Sequence, residues 1–354
     1  MPLPSLRYAR LLAALFYCAG LTLVSCGGEE GTAVAKTPAV TGAAAGASPE
    51  AQAAIARLNE RLAADSTDAE ALALRGEIYY ENGILDAAIE DLRRSIRLDS
   101  THWERWHLLA DAQLDNLRSR DALNTMIYAS TRFRERVGTL LKLAEFQYIV
   151  KRYDDALATL ERAGRLDQNE AEVFFMLGEV LRERDTTRNG QAMAIDAYER
   201  AAELDPDLVD AWLQLGLLHE ARGNSIAERY LRTATAVQRD SALPYRMLAD
   251  YYARQSRLPE SVAAYDEAIR RDPRHADAFY NSGLVLLDMD SVARALRQFD
   301  TAVEIAPAYA DGHYYRGVAL ELQDEPERAR AAYEQALRLA PDFPAARDAL
   351  SRLR

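Results

Sequence analysis

The segment Asp196–Pro206, DAYERAAELDP, returns as AAYDEAIRRDP at Ala263–Pro273, as RQFDTAVEIAP at Arg297–Pro307 and as AAYEQALRLAP at Ala331–Pro341. Tyr265, Phe299 and Tyr333 stand 34 residues apart, and so do Gly283 and Gly317. A fixed period of this length confines the fold to stacked copies of one small unit, none of which buries its apolar face alone. Each period holds two apolar stripes at helical spacing. ADAFYNSGLVLLDMD (276–290) ends in a polar break, and ARALRQFDTAVEIAP (293–307) ends in a proline, which cannot continue a helix.

A 34-residue helix–turn–helix unit of this kind resembles the tetratricopeptide repeat. With position 1 set by that family's pattern, eight repeats cover 69–102, 103–136, 137–170, 171–208, 209–241, 242–275, 276–309 and 310–343. Position 8 is then Gly76, Ala110, Ala144, Gly178, Gly216, Ala249, Gly283 and Gly317. Position 20 is Ala88, Ala122, Ala156, Ala194, Ala227, Ser261, Ala295 and Ala329, and position 27 is Ser95, Ala129, Ala163, Ala201, Ala234, Ala268, Ala302 and Ala336. Only Gly, Ala and Ser occur, as expected where helices cross too closely for larger side chains. The fourth repeat carries four extra residues around DTTRNG, expected as a longer turn, and the fifth lacks one before Ala227. The resemblance implies an all-α, right-handed superhelical solenoid of about one turn.

The ends follow from the need to cover a solenoid's terminal faces. Residues 50–68 match only the second helix of a repeat, with Ile55, Leu58 and Leu62 on one side, and read as an N-terminal half repeat. Residues 344–354 supply one short capping helix.

Residues 1–25 have a leader's pattern: Arg7 and Arg10, then the short uncharged apolar run Leu11–Val24. LVSC at 23–26 resembles the lipobox of bacterial lipoproteins, which implies cleavage before Cys26 and lipid on its thiol. Cys18 would leave with the leader, so no disulfide is expected. The rest of 26–49 holds no large apolar side chain beyond two valines and reads as a flexible tether. The formal net charge is −12, and losing Arg7 and Arg10 deepens it, which disfavours nucleic acid as a partner.

Nothing in the sequence suggests catalysis. The five histidines pair with no second histidine or cysteine at ligand spacing, and no phosphate loop or nucleophile elbow occurs. No cofactor, metal or small-molecule substrate is expected. What remains is the concave groove, which the resemblance assigns to positions 2, 5, 9 and 12 of the first helices. Position 9 gives an acidic row, Glu77, Asp111, Glu145 and Glu179, with Tyr80, Tyr148 and Phe175 beside it; further along come Tyr280, Tyr314 and Tyr315. These are the candidate partner-binding residues. The whole pattern predicts a non-enzymatic scaffold or adaptor. It would be anchored through Cys26 in a bacterial envelope, at the outer membrane, and would bind proteins or peptide segments, basic ones included. A pilotin-like assembly factor or chaperone is the alternative.

Overall fold

The structure, a computed structural model, describes residues 47–353; the leader, Cys26 and most of the tether lie outside the described residues. The described part is all helix and turn. α1 (Pro49–Ala64) precedes eight antiparallel pairs. The first four are α2 (Ala69–Glu81) with α3 (Leu85–Leu98), α4 (Trp103–Asp115) with α5 (Ser119–Arg132), α6 (Val137–Ile149) with α7 (Tyr153–Leu166), and α8 (Ala171–Arg184) with α9 (Arg188–Leu204). The next four are α10 (Val209–Ala221) with α11 (Ala227–Val237), α12 (Ala242–Arg254) with α13 (Leu258–Arg271), α14 (Ala276–Asp288) with α15 (Val292–Ile305), and α16 (Ala310–Leu322) with α17 (Pro326–Leu339). α18 (Pro344–Arg352) closes the series. This is the helix-pair solenoid that the resemblance implies.

Each helix packs on its neighbours in sequence, and first helices of successive pairs also touch, α2 on α4, α4 on α6 and α14 on α16 among them. First helices therefore need apolar residues around much of their circumference. In α10, Leu213, Leu215 and Leu218 are all buried although they point to different sides. Every residue at positions 20 and 27 is fully buried. The position 8 glycines show why. A Cβ on Gly216 would lie 2.6 Å from Leu231 Cγ, one on Gly283 2.6 Å from the Phe299 ring, and one on Gly317 2.5 Å from the Tyr333 ring.

The turn inside each pair uses one left-handed residue at position 15. Gly83 and Gly223 fill it easily, but Leu117, Lys151, Ser256, Asp290 and Asp324 also hold positive φ there. The fourth pair is the exception. Its four extra residues do not make a longer turn: α9 gains a helical turn, and only Asp185, Thr186 and Thr187 link it to α8. The Asp185 carboxylate accepts from Thr187 N at 2.9 Å, and Thr187 caps α9 through Gly190 N. Insertion in helical register keeps Ala194 and Ala201 at the crossing, which a floppy loop would not guarantee.

The ends are closed by polar and apolar contacts together. α1 buries Ile55 and Leu58. Arg75 in α2 forks onto Asp91 of α3 at 2.6 and 2.8 Å, and its remaining nitrogen donates to Asn59 of α1 at 2.6 Å. α18 buries Ala346 and Ala349, and Arg330 donates to the Leu353 carbonyl.

Two stability measurements test this packing. Gly283→Ala drives a methyl into a fully buried ring and should cost about 1–3 kcal/mol. Gly138→Ala, whose Cβ meets nothing within 4 Å, should be neutral or gain up to about 1 kcal/mol. Equal melting temperatures would misplace the crossing. Leu117 is 92% exposed at φ 58°, so Leu117→Gly should raise the melting temperature. The relieved backbone strain, about 1–2 kcal/mol, outweighs glycine's added chain entropy.

Candidate partner-binding groove

The first helices α2, α4, α6 and α8 set the four acids of the row at one repeat position, but their surroundings differ. Glu77 is exposed and has no ion pair among the described residues. Asp111 and Glu145 share Lys142, whose Nζ lies 2.6 Å from Asp111 Oδ1 and 3.3 Å from Glu145 Oε2. Burial alone would lower the Lys142 ammonium, but Glu145 and Asp111 together hold its pKa above the ordinary value. Sequence position had not placed a cation in the row; the signal was the Lys142–Glu145 spacing of three on one helix.

Glu179 serves a buried hydroxyl. Tyr198 of α9 donates to it at 2.6 Å, and Arg182 donates at 3.0 Å. Burial, and then the Glu179 charge, push the Tyr198 phenol well up, so it stays protonated as the donor. The same bond recurs in the sixth pair, where Tyr265 donates to Asp250, also at position 9. In the eighth pair Tyr333 donates to Glu321, one turn further on, at 2.7 Å. Asp210 at the start of α10 has a raised pKa, from burial and from Glu179.

The aromatic candidates divide in the same way. Tyr80 is half-buried, and its hydroxyl donates to Asp115 of α4 at 2.9 Å. Tyr148 and Phe175 are buried, Phe175 against the Tyr198 ring at 5.6 Å, so both offer more to packing than to a ligand. Burial, with Glu179 and Glu183 nearby, raises the Tyr148 phenol. Tyr280, Tyr314 and Tyr315 come together. Tyr315 meets Tyr280 edge-on at 5.7 Å and Tyr314 at 5.0 Å, and Leu284, Leu287 and Val318 are half-buried around the same core. Between the acidic and the aromatic halves lies a belt of ion pairs, Arg254 with Glu220 at 2.6 Å and Arg246 with Asp250 at 2.9 Å.

A stability comparison separates the two kinds of acid. Glu179→Ala leaves the buried Tyr198 hydroxyl without its acceptor and should cost about 1–3 kcal/mol. Glu77→Ala, on an exposed carboxylate, should stay within about 0.5 kcal/mol. Equal losses in denaturant titrations would remove the distinction.

A sequence profile described as the tetratricopeptide repeat matches residues 42–102, 222–276, 246–308 and 280–344, together more than half of the chain. The human protein O-mannosyl-transferase TMTC1 is 26% identical over 200 residues, 54% of this chain and 22% of that protein. The peroxisomal targeting signal receptor of Candida albicans is 25% identical over 223 residues, 59% of this chain and 36% of the receptor. The aligned region thus spans only a minor part of either relative. Among solved structures, the C-terminal part of a TPR repeat-containing protein from Cytophaga hutchinsonii is similar with a TM-score of 0.56 at 17% identity. That match covers 69% of this chain and 99% of the other, and bears on the fold alone.

Proposed function

The chain belongs to the tetratricopeptide-repeat family, whose repeats bind proteins and peptide segments, and from that premise we propose that it is a lipid-anchored scaffold of a bacterial envelope. The anchor is the Cys26 thiol, as the order of basic residues, apolar run and LVSC supports. Its partners are proteins at the outer membrane, taken up in the concave groove of the first helices.

One observation carries the choice of site. Glu179 and Asp250 have a folding role as acceptors for buried tyrosines. In the first three pairs the residue across from position 9 is Leu92, Met126 or Leu160, which has no hydroxyl to satisfy. Glu77, Asp111 and Glu145 are therefore not required by that bond, and Lys142 pairs with Asp111 and Glu145. A segment with spaced Lys or Arg would complete the balance, with Tyr80 available to pack on its stems. Such binding weakens as salt screens it.

The test is crosslinking in cells followed by mass spectrometry. Glu77→Gln, Asp111→Asn and Glu145→Gln are combined with Lys142→Gln, so that no buried ammonium is stranded. This variant should melt within a few degrees of wild type and lose most of its crosslinked partners. Unchanged capture would shift the site to Tyr280, Tyr314 and Tyr315. Cys26→Ser separately should move the protein from the membrane to the soluble fraction or leave it unprocessed, since each buried acyl methylene contributes about 0.8 kcal/mol. A mature N-terminus with unmodified Cys26 would overturn the anchor.

A further inference from the structure

The junction between the second and third pairs concentrates three arginines, Arg132, Arg134 and Arg136, and is one of four that lack an aspartate at position 31, with Gln238, Ala306 and Ala340 at the others. At five junctions position 31 is aspartate, and its carboxylate accepts from the backbone N–H two residues on: Asp65 from Thr67, Asp99 from Thr101, Asp167 from Asn169, Asp205 from Asp207 and Asp272 from Arg274, all at 2.8–3.0 Å. Between α5 and α6 the corresponding residue is Phe133, and Arg134 stands where four repeats place a proline. The turn is closed by backbone alone, Arg136 N donating to Phe133 O at 3.1 Å. The junction has lost its own acid and gained Arg132, Arg134 and Arg136, against a single Glu135.

The guanidinium groups are held in place without carboxylates. Arg132 Nε donates to the Ser100 carbonyl at 2.9 Å, and Arg134 Nε donates to the Thr131 carbonyl at 2.9 Å. Arg162 of α7 reaches back to the Arg134 carbonyl at 2.8 Å. Arg136 lies over the Trp103 ring at 3.6 Å. None of the four has an ion pair with a carboxylate among the described residues, in a chain of net charge −12 that pairs many of its other arginines. Arg132 and Arg134 are both exposed and commit Nε to these bonds, and a guanidinium's two terminal nitrogens can take a carboxylate end-on with two parallel bonds. Tyr128, 57% exposed and stacked on Trp106, and the exposed Leu98 and Leu166, one repeat before and after Arg132 at the same position, supply apolar surface beside the charges.

We propose that this junction is a second docking surface, distinct from the groove, and that it binds an acidic segment of a partner protein through Arg132, Arg134 and Arg136. Carboxylates fit better than a lipid surface or nucleic acid. Those would bring a large anionic sheet or rod against a predominantly acidic molecule, whereas a short segment touches only this patch.

The test uses the full chain and a fluorescent twelve-residue probe of Glu and Gly, read by anisotropy, with the Gln-for-Glu probe as comparison. Wild type should bind the acidic probe alone, and more weakly as salt rises. The combined Arg132→Gln, Arg134→Gln and Arg136→Gln variant should bind it about tenfold or more weakly. Because Arg132 also ties two repeats, Phe133→Asp provides a second route. It restores the acid of the aspartate junctions and should weaken the probe by about tenfold while all arginines remain. Circular dichroism melts check that both variants fold. Absence of wild-type binding, equal binding by both variants, or sedimentation with phosphatidylglycerol vesicles or retention of an oligonucleotide without probe binding would each overturn the proposal.

Discussion

Everything in this solenoid depends on how closely the two helices of a pair cross. Position 8 is glycine or alanine throughout, and where it is glycine the residue at position 24 of the second helix lies directly over it and leaves no space for a Cβ: Leu92 over Gly76, Tyr198 over Gly178, Leu231 over Gly216 and Phe299 over Gly283. Alanine or serine, fully buried, occupies positions 20 and 27 in all eight pairs. Once the pair closes at that distance, its remaining apolar face must be covered by the next pair, and the chain has no choice but to stack. The groove, the junctions and the two closing helices are consequences of that single spacing.

The crossing also decides what the inner wall means chemically. When position 24 is tyrosine, its ring fills the crossing and its hydroxyl needs an acceptor on the first helix. Glu179 and Asp250 supply it at position 9, and Glu321 supplies it one turn later where position 9 is Val318. The seventh pair completes the comparison. Phe299 has no hydroxyl, and position 9 there is Leu284. An acid at position 9 is thus a packing partner in some repeats and a surface group in others, according to the residue across from it.

This coupling marks the limit of what could be read in advance. The period, the small residues at the crossing and the helices at both ends were legible, because they follow from spacing along one helix. The divided roles of the acidic row were not, because they depend on a side chain in a different helix. Treating position 9 as one series hid the tyrosine–acid pairs, although Tyr198 with Glu179 and Tyr265 with Asp250 were both visible in the sequence. Phe175 and Tyr148 were placed in the groove by position, yet neighbouring bulk buries them. The insertion in the fourth repeat was expected as a loop. Asn189 and Gly190 are poor helix formers, but Thr187 caps the new first turn and a whole added turn preserves the register of Ala194, so the insertion lengthened α9 instead.

A stack held together only by neighbouring contacts can change the charge of one unit with little effect on the next. Pairs two and three show this within one stretch of chain. On the first helices, Asp111 and Glu145 enclose Lys142; at the junction between the pairs, Arg132, Arg134 and Arg136 stand without carboxylate partners. At moderate salt an exposed charge is felt over only about 10 Å, which limits how far the charge of one unit reaches along the stack. Self-repulsion at the junction is tolerable because the arginines lean on carbonyls and an indole rather than on one another. Under the two proposals made above, a basic partner and an acidic one are held on the same two repeats, each recognised by local charge, while the crossing that maintains the fold is left undisturbed.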